Sequence, residues 1–156
     1  MQVAALLTAL VYTGFLAVGA VLIRIDIDEH RLPDRIVLPS AAALLALIAL
    51  HAAATHDGVA LVRAVLGGLA LGAFYLALRA VDPEGMGGGD VKLAALVGVF
   101  LAWHGWPALV AGAAAAFVAG AAWALALLAA RRIERQARIP FGPWIILGAW
   151  AGLLAV

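Results

Sequence analysis

The chain has 156 residues, a mean hydropathy of +1.10, 67% hydrophobic residues and 12% charged ones, where an ordinary soluble domain is about 45–50% apolar and about 25% charged. That composition argues against a soluble globular enzyme and against a disordered chain, and ten Lys and Arg against nine Asp and Glu leave a net charge of +1, too little for a nucleic-acid partner. With no cysteine, a disulfide framework, a cysteine zinc site and a thiol nucleophile are impossible.

A membrane-spanning helix needs about 20 mostly apolar residues. The first span, residues 3–23, carries no charge. It is too long for the apolar part of a signal peptide, and no basic segment precedes it. The second covers 36–55. The third covers 58–78 and is interrupted only by Arg63 near its start. The fourth, 88–105, is shorter and holds Asp90 and Lys92 in its first turn. The fifth covers 106–130, and the sixth, 139–156, is minimal. The sequence therefore predicts an all-α membrane protein, a single domain over 1–156 built as a bundle of about six transmembrane helices. Five would follow if the fourth or the sixth were re-entrant. A transmembrane barrel is excluded, because its strands alternate apolar and polar residues and these runs are continuously apolar. Gly67, Gly68 and Gly72 on the third helix, and Gly112, Ala116 and Gly120 on the fifth, form small-residue faces suited to close helix packing in lipid.

Charge sets the orientation. Arg24, Arg31 and Arg35 flank the first connection, Arg79 and Lys92 the third, and Arg131, Arg132, Arg135 and Arg138 fill the fifth; only Arg63 lies on the other side. Basic loops stay in the cytoplasm, which places those three connections inside and both termini outside. Trp103, Trp106 and Trp144, near span ends, read as interfacial anchors, and His30, His51, His56 and His104 as interfacial histidines rather than a ligand set. No metal or other cofactor is expected. The basic fifth connection reads first as a topogenic segment at an anionic leaflet.

The acids are as uneven. Asp26, Asp28, Glu29 and Asp34 lie in the first connection, and Asp82, Glu84 and Asp90 in the third. The first helix ends, and the fourth begins, at one membrane face, so acids from both can converge. Asp90 closes the run Gly85-Met86-Gly87-Gly88-Gly89-Asp90. Four glycines in those five preceding residues cost a helix about 1 kcal/mol each relative to Ala, but they allow close backbone approach and positive φ. The run reads as a pliable, hydrated notch with a carboxylate at its edge, or more plainly as a loop whose Asp caps a helix. It lacks the Lys of a phosphate-binding loop. Lys92 stands close by, either meeting a carboxylate or serving only as a helix-end charge.

Three segments together resemble the type IV prepilin peptidase family. Residues 25–39, with Asp26 eight positions before Asp34 of Leu32-Pro33-Asp34, resemble its first aspartate motif. Residues 85–93 resemble its Gly-x-Gly-Asp motif, and Ile139-Pro140-Phe141-Gly142-Pro143 resembles the opening of its last helix. On chemistry alone, Asp26 and Asp28 are equal candidates for the first acid. The resemblance implies Asp26 and Asp90 as the catalytic pair, with Gly85, Gly87, Gly88, Gly89 and Lys92 around the second acid and Pro33, Asp34, Pro140, Phe141, Gly142 and Pro143 as supporting motif. It implies a membrane aspartyl endopeptidase of the bacterial inner membrane that removes the leader from type IV prepilins or pseudopilins at the cytoplasmic face. Two carboxylates sharing a site hold one proton between them; the ionised one can activate water while the other protonates the scissile carbonyl. Larger members of that family carry a cysteine-bearing segment linked to N-methylation, so a short, protease-only form without methyltransferase activity is expected, or else an excised core. The substrate's basic leader would remain in the cytoplasm, and the Arg-rich fifth connection could attract an acidic residue of the substrate. The alternative is a non-enzymatic polytopic protein, a small proton or cation carrier or an assembly scaffold, whose intramembrane acids bind ions. The residues leave the oligomeric state and the particular precursor open.

Overall fold

A computed structural model describes residues 2–130 and 140–156. It contains six helices: α1 (Gln2–Glu29), α2 (Asp34–Thr55), α3 (Gly58–Val81), α4 (Gly88–His104), α5 (Trp106–Ala129) and α6 (Gly142–Leu154). Among the described residues there is no strand. Four helices, α1, α2, α3 and α5, are long and apolar enough to cross a membrane, and the chain is a multi-pass membrane protein. The four basic residues assigned to the fifth connection, Arg131, Arg132, Arg135 and Arg138, lie outside the described residues.

Helix ends follow local chemistry. At the end of α2, His56 takes the left-handed conformation with φ of 58° and returns its N–H to Ala52. The next residue, Asp57, caps α3 by accepting from the Ala60 N–H at 3.0 Å. Pro143 sits in the first turn of α6, where its fixed φ suits a helix start and its missing N–H is not needed. The last helix thus begins at Gly142, later than the apolar run starting at residue 139 implies. The opposite departure occurs in α1. Its apolar stretch stops at Ile23, but no Gly or Pro follows until Pro33, so the helix continues through the acids to Glu29. Asp26 is a helical residue, not a connection residue.

The centre of the bundle is α4. It is apolar around its whole circumference, the signature of a helix enclosed by others, and every residue from Leu93 to Trp103 except Ala95 is buried. α2, α3, α5 and α6 pack against it, while α1 packs on α2 and α6 and reaches α4 through Tyr12 and Phe15. The α3–α4 seam is backbone against backbone. A Cβ at Gly98 would collide with the Gly67 carbonyl, and one at Gly68 would stand 2.6 Å from Val99 Cγ2 and 3.0 Å from the Ala95 carbonyl. Gly112, Gly148 and Gly152 do the same between α5 and α6.

Two polar expectations are corrected at the end of the bundle formed by the α4 C-terminus. Trp103 is buried, with its ring edge-on to His51 at 5.2 Å, and is not an interfacial anchor. His104 is half-buried rather than interfacial: it pairs with the Tyr12 hydroxyl at 2.7 Å and with the Phe100 carbonyl at 2.9 Å.

Candidate active site

At the other end of the bundle, α1 finishes while α2, α4 and α6 begin. Asp26 is 4% exposed, the one charged side chain among the buried residues described. It continues a stripe on α1 made of Val11, Phe15, Gly19 and Leu22, spaced by three or four, so the periodicity that turns those side chains inward turns its carboxylate inward as well. Asp26 stands at the negative end of the α1 dipole. The α6 N-terminus, the positive end of another dipole, offsets that position: the Gly142 N–H donates to Asp26 Oδ2 at 2.9 Å. Only glycine fits there, because a Cβ on Gly142 would lie 2.6 Å from the same oxygen. Pro143 holds this turn at the helix start, and Phe141 fills the space beside Gly120 of α5. Pro140 is half-buried just before them.

Asp90 lies in the first turn of α4, half-buried, with Oδ2 accepting from the Gly87 N–H at 3.0 Å. Gly88 and Gly89 are helical, and Gly87 is the cap. None of Gly85, Gly87, Gly88 and Gly89 has a positive φ, the one such glycine described being Gly105. The run serves close approach instead. A Cβ on Gly89 would lie 2.7 Å from Leu32 Cβ and 3.3 Å from the Leu32 N–H nitrogen, and one on Gly88 would collide with the Arg79 guanidinium. Gly85 folds back differently, its N–H donating to Asp82 Oδ1 at 3.0 Å. The glycines therefore bring the α1–α2 connection and the end of α3 up to the start of α4.

Asp26 and Asp90 are near enough for the charge on one to act on the other. The neighbouring acids face elsewhere. Asp28 is exposed and bridges to Arg24, one turn back, at 2.8 Å. Asp34, also exposed, accepts from Lys92 Nζ through both oxygens, at 2.5 and 2.6 Å. Lys92 thus meets a carboxylate, but of Asp34, tying the start of α2 to α4. Pro33 caps α2 in an extended conformation, turning the chain between Leu32 and Asp34. Two carboxylates within reach of each other's charge, each held by a backbone N–H, can share a proton and can both withdraw one from water and donate one to a carbonyl.

Sequence reading did not single out Tyr75. It is 1% exposed on α3, with its ring 6.3 Å from that of Phe141. The available signal was its place in the α3 stripe of Ala60, Ala64, Gly67, Gly68 and Leu71, where a lone polar aromatic continues a face of small residues.

The pattern described as the type IV leader peptidase family matches residues 5–129. The chain is 38% identical over 137 residues to a prepilin leader peptidase/N-methyltransferase of Pseudomonas aeruginosa, covering 83% of this chain and 44% of that one. It is 37% identical over 131 residues to the protein of that name in Stutzerimonas stutzeri, with the same coverage. To that in Pectobacterium carotovorum subsp. carotovorum it is 34% identical over 151 residues, 96% of this chain and 52% of the relative. The chain spans about half the length of these curated relatives. No solved structure matches it.

Proposed function

Because this chain belongs to the type IV leader peptidase family, we propose that it is an aspartyl endopeptidase that removes the leader from type IV prepilins or pseudopilins, with Asp26 and Asp90 as the catalytic acids. The observation that carries this reading is the placement of the two side chains. Asp26, from the end of α1, is buried on the Gly142 N–H, and Asp90, from the start of α4, is held by the Gly87 N–H within electrostatic reach of it. Choosing Asp26 over Asp28 rests on burial, since Asp28 is exposed and already paired with Arg24.

In the mechanism, the pair carries one proton and acts as a unit. The ionised carboxylate takes a proton from a bound water, whose oxygen attacks the scissile carbonyl carbon. The protonated carboxylate donates its proton to the carbonyl oxygen as the tetrahedral intermediate forms. On collapse, the C–N bond breaks, the leaving amine takes a proton from the pair, and one hydroxyl of the intermediate returns its proton to the pair as the new carboxyl group forms. The backbone donors to Asp26 and Asp90 leave the remaining carboxylate oxygens for water and substrate. Apolar substrate helices enter from the membrane, and the stretch around the cleaved bond is presented to the two carboxylates at the start of α4.

Orientation follows from the charges: by sequence, nine of ten Lys and Arg lie in or flank the first, third and fifth connections, which belong to the end where α1 finishes and α4 begins. That end faces the cytoplasm of the bacterial inner membrane, with both termini outside. A reporter active only in the cytoplasm should be active when fused after Arg132 and silent at Val156; the reverse pattern would put the acids on the wrong side for a leader peptidase. The decisive test of the activity is co-expression with pilin-like precursors from the same genome, reading leader removal by mass. Wild-type chain should release the leader and Asp90→Asn should not. If every precursor keeps its full mass with the wild-type chain, the reading is wrong.

A further inference from the structure

The α3–α4 seam fixes a register. Gly68 lies against Ala95 and Val99, Gly72 against Ala95, and Arg79 against Gly88. The helices are antiparallel, so the seven residues from Gly72 to Arg79 answer the seven from Ala95 to Gly88. Tyr75, between them and on the buried stripe of α3, falls within one turn of the level of Asp90, and the charge on Asp90 reaches it. The Tyr75 ring is clamped by Phe117 at 5.4 Å and Phe141 at 6.3 Å between centroids. Phe141 directly precedes Gly142, which holds Asp26. Tyr75 therefore stands on α3 near the level of Asp90 and packs on Phe141, the residue before the Gly142 that supports Asp26. Tyr75 is the polar side chain on the otherwise apolar buried stripe of α3, and a buried tyrosine hydroxyl ordinarily has a hydrogen-bond partner. Asp90 Oδ2 is taken by Gly87, which leaves Oδ1 to receive a donor.

We propose that Tyr75 is a positioning residue of the carboxylate pair, its hydroxyl donating to Asp90 Oδ1 through one bridging water and so fixing the plane of that carboxylate toward Asp26. This rests on Asp90 being a catalytic acid. A tyrosine that only packed would be replaceable by phenylalanine, which keeps every ring contact and loses one oxygen.

Around Asp90, Asp26 of α1 and Tyr75 of α3 lie within reach of its charge, the Arg79 guanidinium of α3 lies beside Gly88, two residues before it, and α6 carries no ionisable side chain. From α2, Asp34 is engaged by Lys92, and α5 contributes the uncharged ring of Phe117. A donor to an ionised carboxylate favours the ionised form, so removing it moves protonation to higher pH.

The experiment compares wild type, Tyr75→Phe and Phe117→Leu as full chains reconstituted in lipid nanodiscs. Water-soluble carbodiimide modifies the protonated carboxyl; labelling at Asp90 is read by peptide mass across pH, without substrate. In Tyr75→Phe the labelling midpoint should rise by about one pH unit, the scale of one hydrogen bond to a charged group. On a cleavable precursor, kcat should fall about tenfold with KM unchanged. Phe117→Leu disturbs the same aromatic packing and should leave the midpoint in place. An unmoved midpoint in Tyr75→Phe, or an equal movement in Phe117→Leu, overturns the proposal. If the midpoint moves as expected while the wild-type chain cuts no precursor, the Tyr75 contact stands and the peptidase reading falls.

Discussion

The two ends of the bundle handle buried polarity in opposite ways. At the aromatic end most buried polar groups are paired with a complementary partner, the buried Nδ1 of His51 being the exception among the described residues. Arg63 reaches across from α3 to donate Nε and Nη2 to the Ala102 and Trp103 carbonyls, each at 2.6 Å. Those are last-turn carbonyls of α4, which lack helical partners and sit at the negative end of its dipole. Tyr12 and His104 satisfy one another, and Phe15 stacks on Phe100 at 3.9 Å. At the carboxylate end two acids converge instead, one of them on the unfavourable end of its helix. Like charges brought together lower stability, and an arrangement that keeps them within reach of each other, supported by two backbone donors, is what the proposed catalytic pair requires. The lesson is that a buried charge is informative by its partners, not by its burial.

That contrast can be broken by substitution. The largest effects belong at the carboxylate end. Asp26→Asn and Asp90→Asn should each lower leader removal by about 100- to 10,000-fold at equal membrane abundance. The double variant should be no worse than either single one, since residues acting as a unit are non-additive. Full activity in both single variants would reduce this end to a structural feature like the other.

Gly142→Ala should come next. The added methyl would press on Asp26 Oδ2 from 2.6 Å, and displacing a reacting group by a fraction of an ångström to one ångström costs about 10- to 100-fold in rate. The expected signature is a fall in kcat with little change in thermal stability. A large fall in stability instead would mean that Gly142 serves packing, as Gly98 does on the α3–α4 seam.

Arg63→Met should show the converse. It leaves two α4 carbonyls without a charged donor, and stability should fall by about 2 kcal/mol, the range for hydrogen bonds to charged groups. Turnover per folded molecule should be unchanged. Thermal unfolding in detergent read beside specific activity separates the two, and a selective loss of turnover would show that the ends are coupled through α4.

The smallest effects sharpen the assignment of the first acid. Asp28→Asn removes an exposed pair one helical turn from Arg24, worth about 0.3–0.5 kcal/mol, and should keep most of the cleavage activity. Asp34→Asn should be milder still, because an amide oxygen can still accept from Lys92. A dead Asp28→Asn with an active Asp26→Asn would move the first catalytic acid by two positions.

The sequence alone determined the helical membrane class, the six apolar segments and the motif positions of Asp26 and Asp90, because run length, charge asymmetry and residue spacing are local properties. It also held a clue to Asp26: the acid continues the stripe of Val11, Phe15 and Leu22. That clue is hidden because the rest of α1 is apolar on all sides, so no inward face stands out until its neighbours are placed. The tertiary structure decided what depends on distant segments meeting. Gly142, more than a hundred residues from Asp26, supplies its N–H. Lys92 turns to Asp34 rather than to the neighbouring Asp90. The glycines before Asp90 serve Leu32 and Arg79 rather than a turn. Trp103 and His104 are drawn inward because α4 became the central helix, and Tyr75 acquired significance only through the register of α3 on α4. Which helix is central depends on packing that every apolar segment could in principle have joined, and only the small residues along the α3–α4 seam permit the approach that selects it.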